Sequence, residues 1–290
     1  KARAEPDVLT FFERCYTEHW AAGKSAKAVR RLFDAHVAPR IGHTRVRAVC
    51  YADIHGLHRA LESTPVEANR TLAVCSRLLN LAERYGERDP GSNPCRHIPR
   101  YPELSRKRFA TSAELALIGR QLDQIPLPEA AFIALLIYTG MRPGEVAAAR
   151  REWIIPGIPP IPGIKAPNSG ILRLPDSKTG AREVHLSAHA LTLIQQLPAP
   201  VNGTLTGIRY PRATWEAVRR AAGCPDLRLH DLRRTFATVS LGAGQPIGVI
   251  GEVLGHKTAQ TTKIYARLMD GAAQQLVQAT GDRMAGLLTG

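Results

Sequence analysis

Four prolines fall within residues 88 to 109, in RDPGSNPCRHIPRYPELSRKRF, and no other feature of the sequence limits the fold more. Each proline lacks an amide donor, clashes with a preceding helical turn and pushes the residue before it toward extended backbone. The stretch has no apolar periodicity and is rich in arginine, so it predicts an extended, basic linker. It divides the chain into residues 1–102 and 103–290, each of ordinary domain size.

The first part reads as helix throughout. DVLTFFERCYTEHW carries Val8, Leu9, Phe12, Cys15 and Tyr16 on one helical stripe. SAKAVRRLFDAHVAPRIG follows, with Ser25 as N-cap and Pro39 and Gly42 as stops. A third helix is expected near Tyr51 to Leu61, and a fourth over PVEANRTLAVCSRLLNLAERYG, opened by Pro65 and closed by Gly86.

The second part is mixed, so the fold class is mainly α with a small β-sheet (α+β) there. Thr111 and Glu114 form a capping box. EAAFIALLIYTG is apolar on all sides and must be buried. Near Trp153 the pattern turns to β, and ILRLP and AREVHLS read as strands joined by DSKTG, with Lys178 near the hairpin tip. Helices are expected at AHALTLIQQL, PRATWEAVRRAAG, HDLRRTFATVSLGAG and PIGVIGEVLG, with an amphipathic tail DGAAQQLVQATGDRMAGLL.

Charge narrows the function. Thirty-nine Lys and Arg against 25 Asp and Glu give a net charge of +14, the electrostatic footprint of a nucleic-acid binder. The charge is spread along the chain rather than gathered on one amphipathic helix, which argues against a membrane surface. No apolar run reaches bilayer-spanning length. Five cysteines, Cys15, Cys50, Cys75, Cys95 and Cys224, form no C-x-x-C pair. They predict neither zinc ribbon nor disulfide framework but a reduced, cytoplasmic protein. The pairs His55/His58 and His185/His189 lack a third ligand nearby, so no metal and no cofactor are expected.

In LRLHDLRRTFAT, His230, Arg233 and Arg234 crowd into about one helical turn with only Asp231 against them. Like charges so placed repel, which calls for an anion in front of them. Three further pieces join this one: TGMRPGEV (Thr139 to Val146), DSKTG (Asp176 to Gly180) and LGHKTAQTTKIYA (Leu254 to Ala266). In order and character the four resemble the catalytic motifs of the tyrosine recombinases, the phage integrase family. The resemblance covers residues from about 107 to 270, and the helical first part resembles that family's core-binding domain.

The chemistry supports the motifs independently. Attack on a DNA phosphodiester builds charge on the non-bridging oxygens, and arginine binds such oxygens bidentately while staying charged. Arg142 follows a buried helix at the Gly140 turn, Arg233 lies one helical turn from His230, and His256 follows Gly255. Two readings of Glu145 stand: a plain helix salt bridge to Arg142, or a supporting residue that orients arginines. Arg234 matches no catalytic position of the family. By resemblance Tyr265 is the nucleophile, His230 takes its proton, and a 3′-phosphotyrosyl intermediate forms. Lys178 resembles the lysine that protonates the leaving 5′-oxygen, with Lys165 the alternative. The run PGIPPIPGIKAPNSG, Pro156 to Gly170, is longer than the family's usual path to that hairpin.

The resemblance implies a site-specific recombinase acting on double-stranded DNA, as a dimer on each site and a tetramer in the synapse. Two rivals stand beside it: a type IB topoisomerase, and a catalytically silent architectural DNA-binding protein. The set Arg142, Lys178, His230, Arg233, His256 and Tyr265 argues against the second.

Overall fold

The computed structural model describes residues 5–104, 106–157, 169–176, 180–199, 203–255 and 284. The chain falls into two compact units, Lys1–Arg106 and Lys107–Gly290.

The first unit packs α1 (Val8–His19), α2 (Ala26–Leu32), α3 (Ala38–Ile41), α4 (Tyr51–Arg59) and α5 (Pro65–Arg84) around one apolar core. Asp7 caps α1 by accepting from the Thr10 amide at 2.8 Å. Phe12 and Phe33 stack at its centre with ring centroids 3.5 Å apart. Pro39 is not the stop its sequence position predicts. The backbone widens into a π-helical turn over Phe33–Val37, where the Ala38 amide donates to the Phe33 carbonyl, and α3 then starts with Pro39 in its first turn. The wide turn spares the proline ring its clash with the carbonyl four residues back. Ser25 holds the N-cap position of α2 but makes no capping hydrogen bond with its side chain.

The expected linker is also corrected. Much of it is folded into the first unit: Arg88, Asn93, Cys95 and Ile98 are buried, and Pro94–His97 forms a 3-10 turn. Asn93 donates to the Ser76 carbonyl and to Asn80 Oδ1, and accepts from the Cys95 amide. Tyr101 stacks on His58 at 4.3 Å, and Asn69 bonds both the amide and the carbonyl of Tyr101. Proline density excludes a helix or a ladder here, yet polar side chains satisfy the backbone in their place.

The second unit opens with the Thr111–Glu114 capping box at the start of α6 (Ser112–Leu122). α7 (Leu127–Thr139) runs through the core, with Phe132, Ile133, Leu135 and Leu136 almost wholly buried. Each such side chain contributes roughly 1.5–3 kcal/mol of burial. After α8 (Pro143–Ala148) come three antiparallel strands in the order β1 (Ile154–Pro156), β2 (Gly170–Leu174) and β3 (Arg182–Leu186). The sequence located β2 and β3; β1 is the strand behind the β texture near Trp153. α9 (Ala188–Gln196), α10 (Arg212–Ala221), α11 (Leu229–Gly242) and α12 (Ile247–Val253) complete the described part, with α11 and α9 packed on α7. The expected tail helix lies outside the described residues except at Met284, and the hairpin tip with Lys178 lies outside them too.

Candidate active site

The site is built where α7 ends and α11 begins. α7 stops at Gly140, whose φ of +62° is the left-handed region that L side chains avoid. Space adds a second reason for glycine: a Cβ there would lie 2.6 Å from Leu254 Cδ2 and 2.9 Å from Phe236 Cδ1. Two residues on, Arg142 is the N-cap of α8, its side chain half-buried. α11 starts at Leu229 with Asp231 in its first turn, where a carboxylate favours the positive end of the helix dipole. Asp231 is buried and accepts from the Arg228 amide at 2.9 Å, so it serves the helix start as well as opposing the cations. Thr235 Oγ accepts from the Ala110 amide at 2.8 Å, tying α11 to the segment before α6.

Arg233 is buried at 4% exposure, and its guanidinium donates to the Gly140 carbonyl at 2.8 Å and to the Leu254 carbonyl. It therefore spans the end of α7 and the end of α12. Glu145, also buried, accepts from Arg142 Nη1 at 2.6 Å and from the Arg142 amide at 2.9 Å. Its second oxygen also accepts from Arg182 Nη2 at 2.8 Å. Glu145 thus forms the salt bridge to Arg142 and shares its carboxylate between two arginines. Burial pushes the Glu145 carboxyl up, but the bonds from Arg182 and Arg142 outweigh it and hold it below the ordinary carboxylate range.

His230 lies at the start of α11 with a solvent-facing side. Its pKa is lowered, first by partial desolvation and then by the charges of Arg233, Arg142 and Arg234, against an opposing pull from Asp231. The imidazole is therefore held toward its neutral form, which can accept a proton. Four expected site residues, Arg142, Glu145, His230 and Arg233, come together here. Lys178, Lys165, His256 and Tyr265 lie outside the described residues.

Sequence reasoning missed Arg182. A signal for it exists: in β3, Arg182, Val184 and Leu186 share one face by period-two alternation, and Val184 and Leu186 are buried. An arginine in register with two core residues demands an acceptor. Of the histidine pairs, His58 is buried against Asn69 and Tyr101, while His185 and His189 are exposed. Among the described residues no group of three His, Cys, Asp or Glu is placed to hold a metal, and no helix is long and apolar enough to cross a membrane.

The fold is that of DNA integrases. The chain superimposes on lambda integrase residues 75–356, crystallised as a dimer bound to a COC′ core site, with a TM-score of 0.71, 15% identity and coverage of 88% of this chain and 94% of that one. It also matches the lambda integrase tetramer bound to a Holliday junction, with a TM-score of 0.68, 15% identity and coverage of 87% and 78%. In sequence it is 24% identical to the putative prophage phiRv2 integrase of Mycobacterium tuberculosis, over 90% of this chain and 76% of that protein. It is 32% identical to the tyrosine recombinase XerC of Bradyrhizobium diazoefficiens, over 57% of this chain and 53% of that protein. The phage integrase family profile matches residues 206–271, which include His230, Arg233, His256 and Tyr265. The family profile and these relatives agree: what this chain is similar to are the tyrosine recombinases of the phage integrase family, enzymes of site-specific DNA recombination. These relatives do not favour the topoisomerase and silent architectural readings.

Proposed function

We propose that the chain cleaves and rejoins double-stranded DNA at specific sites through a covalent 3′-phosphotyrosyl intermediate. The observation that carries this reading is the convergence of Arg142, just after the end of α7, and Arg233, near the start of α11, beside a histidine kept toward its neutral form. Tyr265 attacks the scissile phosphorus, its phenolic proton passes to His230, and the bond to the 5′-oxygen breaks. Lys178 gives the departing oxygen its proton, with Lys165 the alternative donor. Arg142, Arg233 and His256 hold the non-bridging oxygens, whose charge grows in the transition state. Rejoining runs the same steps backward with a 5′-hydroxyl as nucleophile, so no cofactor or metal is required.

Residues 1–102 act as the core-binding domain and 103–290 as the catalytic domain, with a dimer on each site and a tetramer in the synapse. The lambda integrase assemblies support this arrangement, and a mobile-element role in the cytoplasm fits the prophage relative. The test is covalency. A nicked duplex that lets the 5′-fragment diffuse away should trap a DNA–protein adduct, in EDTA as well as without it. Tyr265→Phe should still bind the duplex but form no adduct. An adduct of undiminished yield in that variant removes Tyr265 from the mechanism.

A further inference from the structure

The hydrogen bonds around the candidate site form a closed circuit. Arg142 Nη1 donates to Glu145 Oε1 at 2.6 Å, and Arg182 Nη2 donates to Glu145 Oε2 at 2.8 Å. Arg182 Nη1 donates onward to the Val253 carbonyl at 2.9 Å. The next carbonyl, that of Leu254, accepts from Arg233, whose other nitrogen returns to Gly140 at 2.8 Å, two residues before Arg142. Consecutive carbonyls at the end of α12 are thus gripped by two guanidiniums, where the helix dipole favours cations. Arg182 is the link that joins the Arg142 side of the circuit to the Arg233 side.

We infer that Arg182 is a positioning residue for phosphate binding: by occupying Glu145 and the α12 terminus together, it sets the presentation of Arg142. The inference rests on the phosphate-binding reading of Arg142. Glu145 is a buried carboxylate beside a half-buried arginine, a pairing that left alone favours a two-pronged fork-to-carboxylate grip. Arg182 takes part of that carboxylate, and Arg142 meets it through one guanidinium nitrogen, leaving the rest of its fork for an anion. Arg182 is itself rigidly placed. A Cβ on Gly255 would come within 2.8 Å of Arg182 Cδ, so the chain passes the side chain at the closest range glycine permits. Its Nε is buried with no hydrogen-bond partner among the described residues. Lysine cannot replace it, because one ammonium cannot reproduce a planar fork directed at two acceptors.

The experiment compares two scissile groups. Nicked duplexes carrying the site that the wild-type chain selects from a random-sequence pool are made with an ordinary phosphate or a methylphosphonate at the cleavage point. Methylphosphonate carries no charge, so its transition state needs less cationic help. Arg182→Met should cleave the ordinary duplex on the order of 10²-fold more slowly, as expected when a preorganised donor is lost. The deficit should shrink to within about 10-fold on methylphosphonate, as it should for Arg142→Ala. The double variant should be no slower than Arg142→Ala alone, because both changes act through one guanidinium. Arg182→Lys, which keeps the charge, should show the same pattern in milder form and carries the test if Arg182→Met does not fold. Wild-type cleavage by Arg182→Lys, or equal slowing on both duplexes, overturns the inference while leaving an impaired Arg142→Ala to support the function. An unimpaired Arg142→Ala would bring down the phosphate-binding reading itself.

Discussion

Among the described residues each unit holds one deeply buried arginine, and the two differ in their company. Arg88 in the first unit and Arg233 in the second are exposed to 6% and 4%, and both donate to backbone carbonyls. Arg88 donates to Val46, Arg47 and Val49 through Nη1, to the Ser92 carbonyl through Nη2 and to Ser92 Oγ through Nε. It staples a loop, its pKa is lowered chiefly by burial, and the charges that oppose this shift are the carboxylates of Glu83 and Asp89. Arg233 also staples two helix ends, but it stands among Arg142, Arg182, Arg234 and His230, with Glu145 divided between two of them. Burial and hydrogen bonding alone do not distinguish a structural arginine from a candidate catalytic one. The surplus of neighbouring cations does, because such a surplus is stable only in a site built for an anion.

The largest effect should come from exchanging these two arginines for neutral residues. Arg233→Ala should lower single-turnover cleavage by at least ~10²-fold. Arg88→Met should leave the cleavage rate of the folded protein unchanged, while unfolding the first unit more easily by about 1–3 kcal/mol for the carbonyls left unpaired. Amide hydrogen exchange in α1 and α5 reads the second effect. A cleavage defect in Arg88→Met as deep as that of Arg233→Ala would erase the contrast.

A smaller difference is expected between two helix-ending glycines. Gly86, after α5, has φ +72° and open space where a Cβ would go, whereas Gly140 has φ +62° and a collision. Gly86→Ala should cost the left-handed strain alone, about 1–2 kcal/mol. Gly140→Ala should cost more than that and also slow cleavage, since Arg233 takes its register from the Gly140 carbonyl. Equal urea midpoints for the two variants would show that the second unit absorbs the collision.

The smallest effect is a titration. The depressed pKa of His230 means that its contribution to stability is fully present above about 6.5 and is lost as pH falls through the lower folded value. The His230 ring resonance of the free protein should titrate below 6.5. In Arg233→Ala it should move up toward that value. A midpoint at or above 6.5 in the wild type would mean that the cluster does not weigh on this imidazole.

Much of this was legible in the sequence, for local reasons. Helix α7 was readable because no polar residue interrupts FIALLI, and the Thr111–Glu114 box because both partners lie within one turn. Arg142, His230 and Arg233 were readable from their motifs. What escaped depends on partners distant in sequence. Arg182 meets Glu145 and Val253, 37 and 71 residues away, and no short window contains both ends of either bond. The proline-rich stretch misled for the converse reason. Its local signals exclude regular structure, but Asn69 and Asn93 fold it onto the first unit with side-chain bonds that no propensity records.

The bonds of Arg233 also bear on the order of folding. Its two carbonyl acceptors lie 93 residues before it and 21 after it. Loops of that size close slowly, and local helices form long before they do. A growing chain can therefore complete α7 and begin α11, yet the two arginines gain their shared setting only after the segment through Leu254 has been made. A chain still short of Leu254 therefore carries both arginines without the contact that completes their setting. Truncated products, however well their helices form, lack the closing contact.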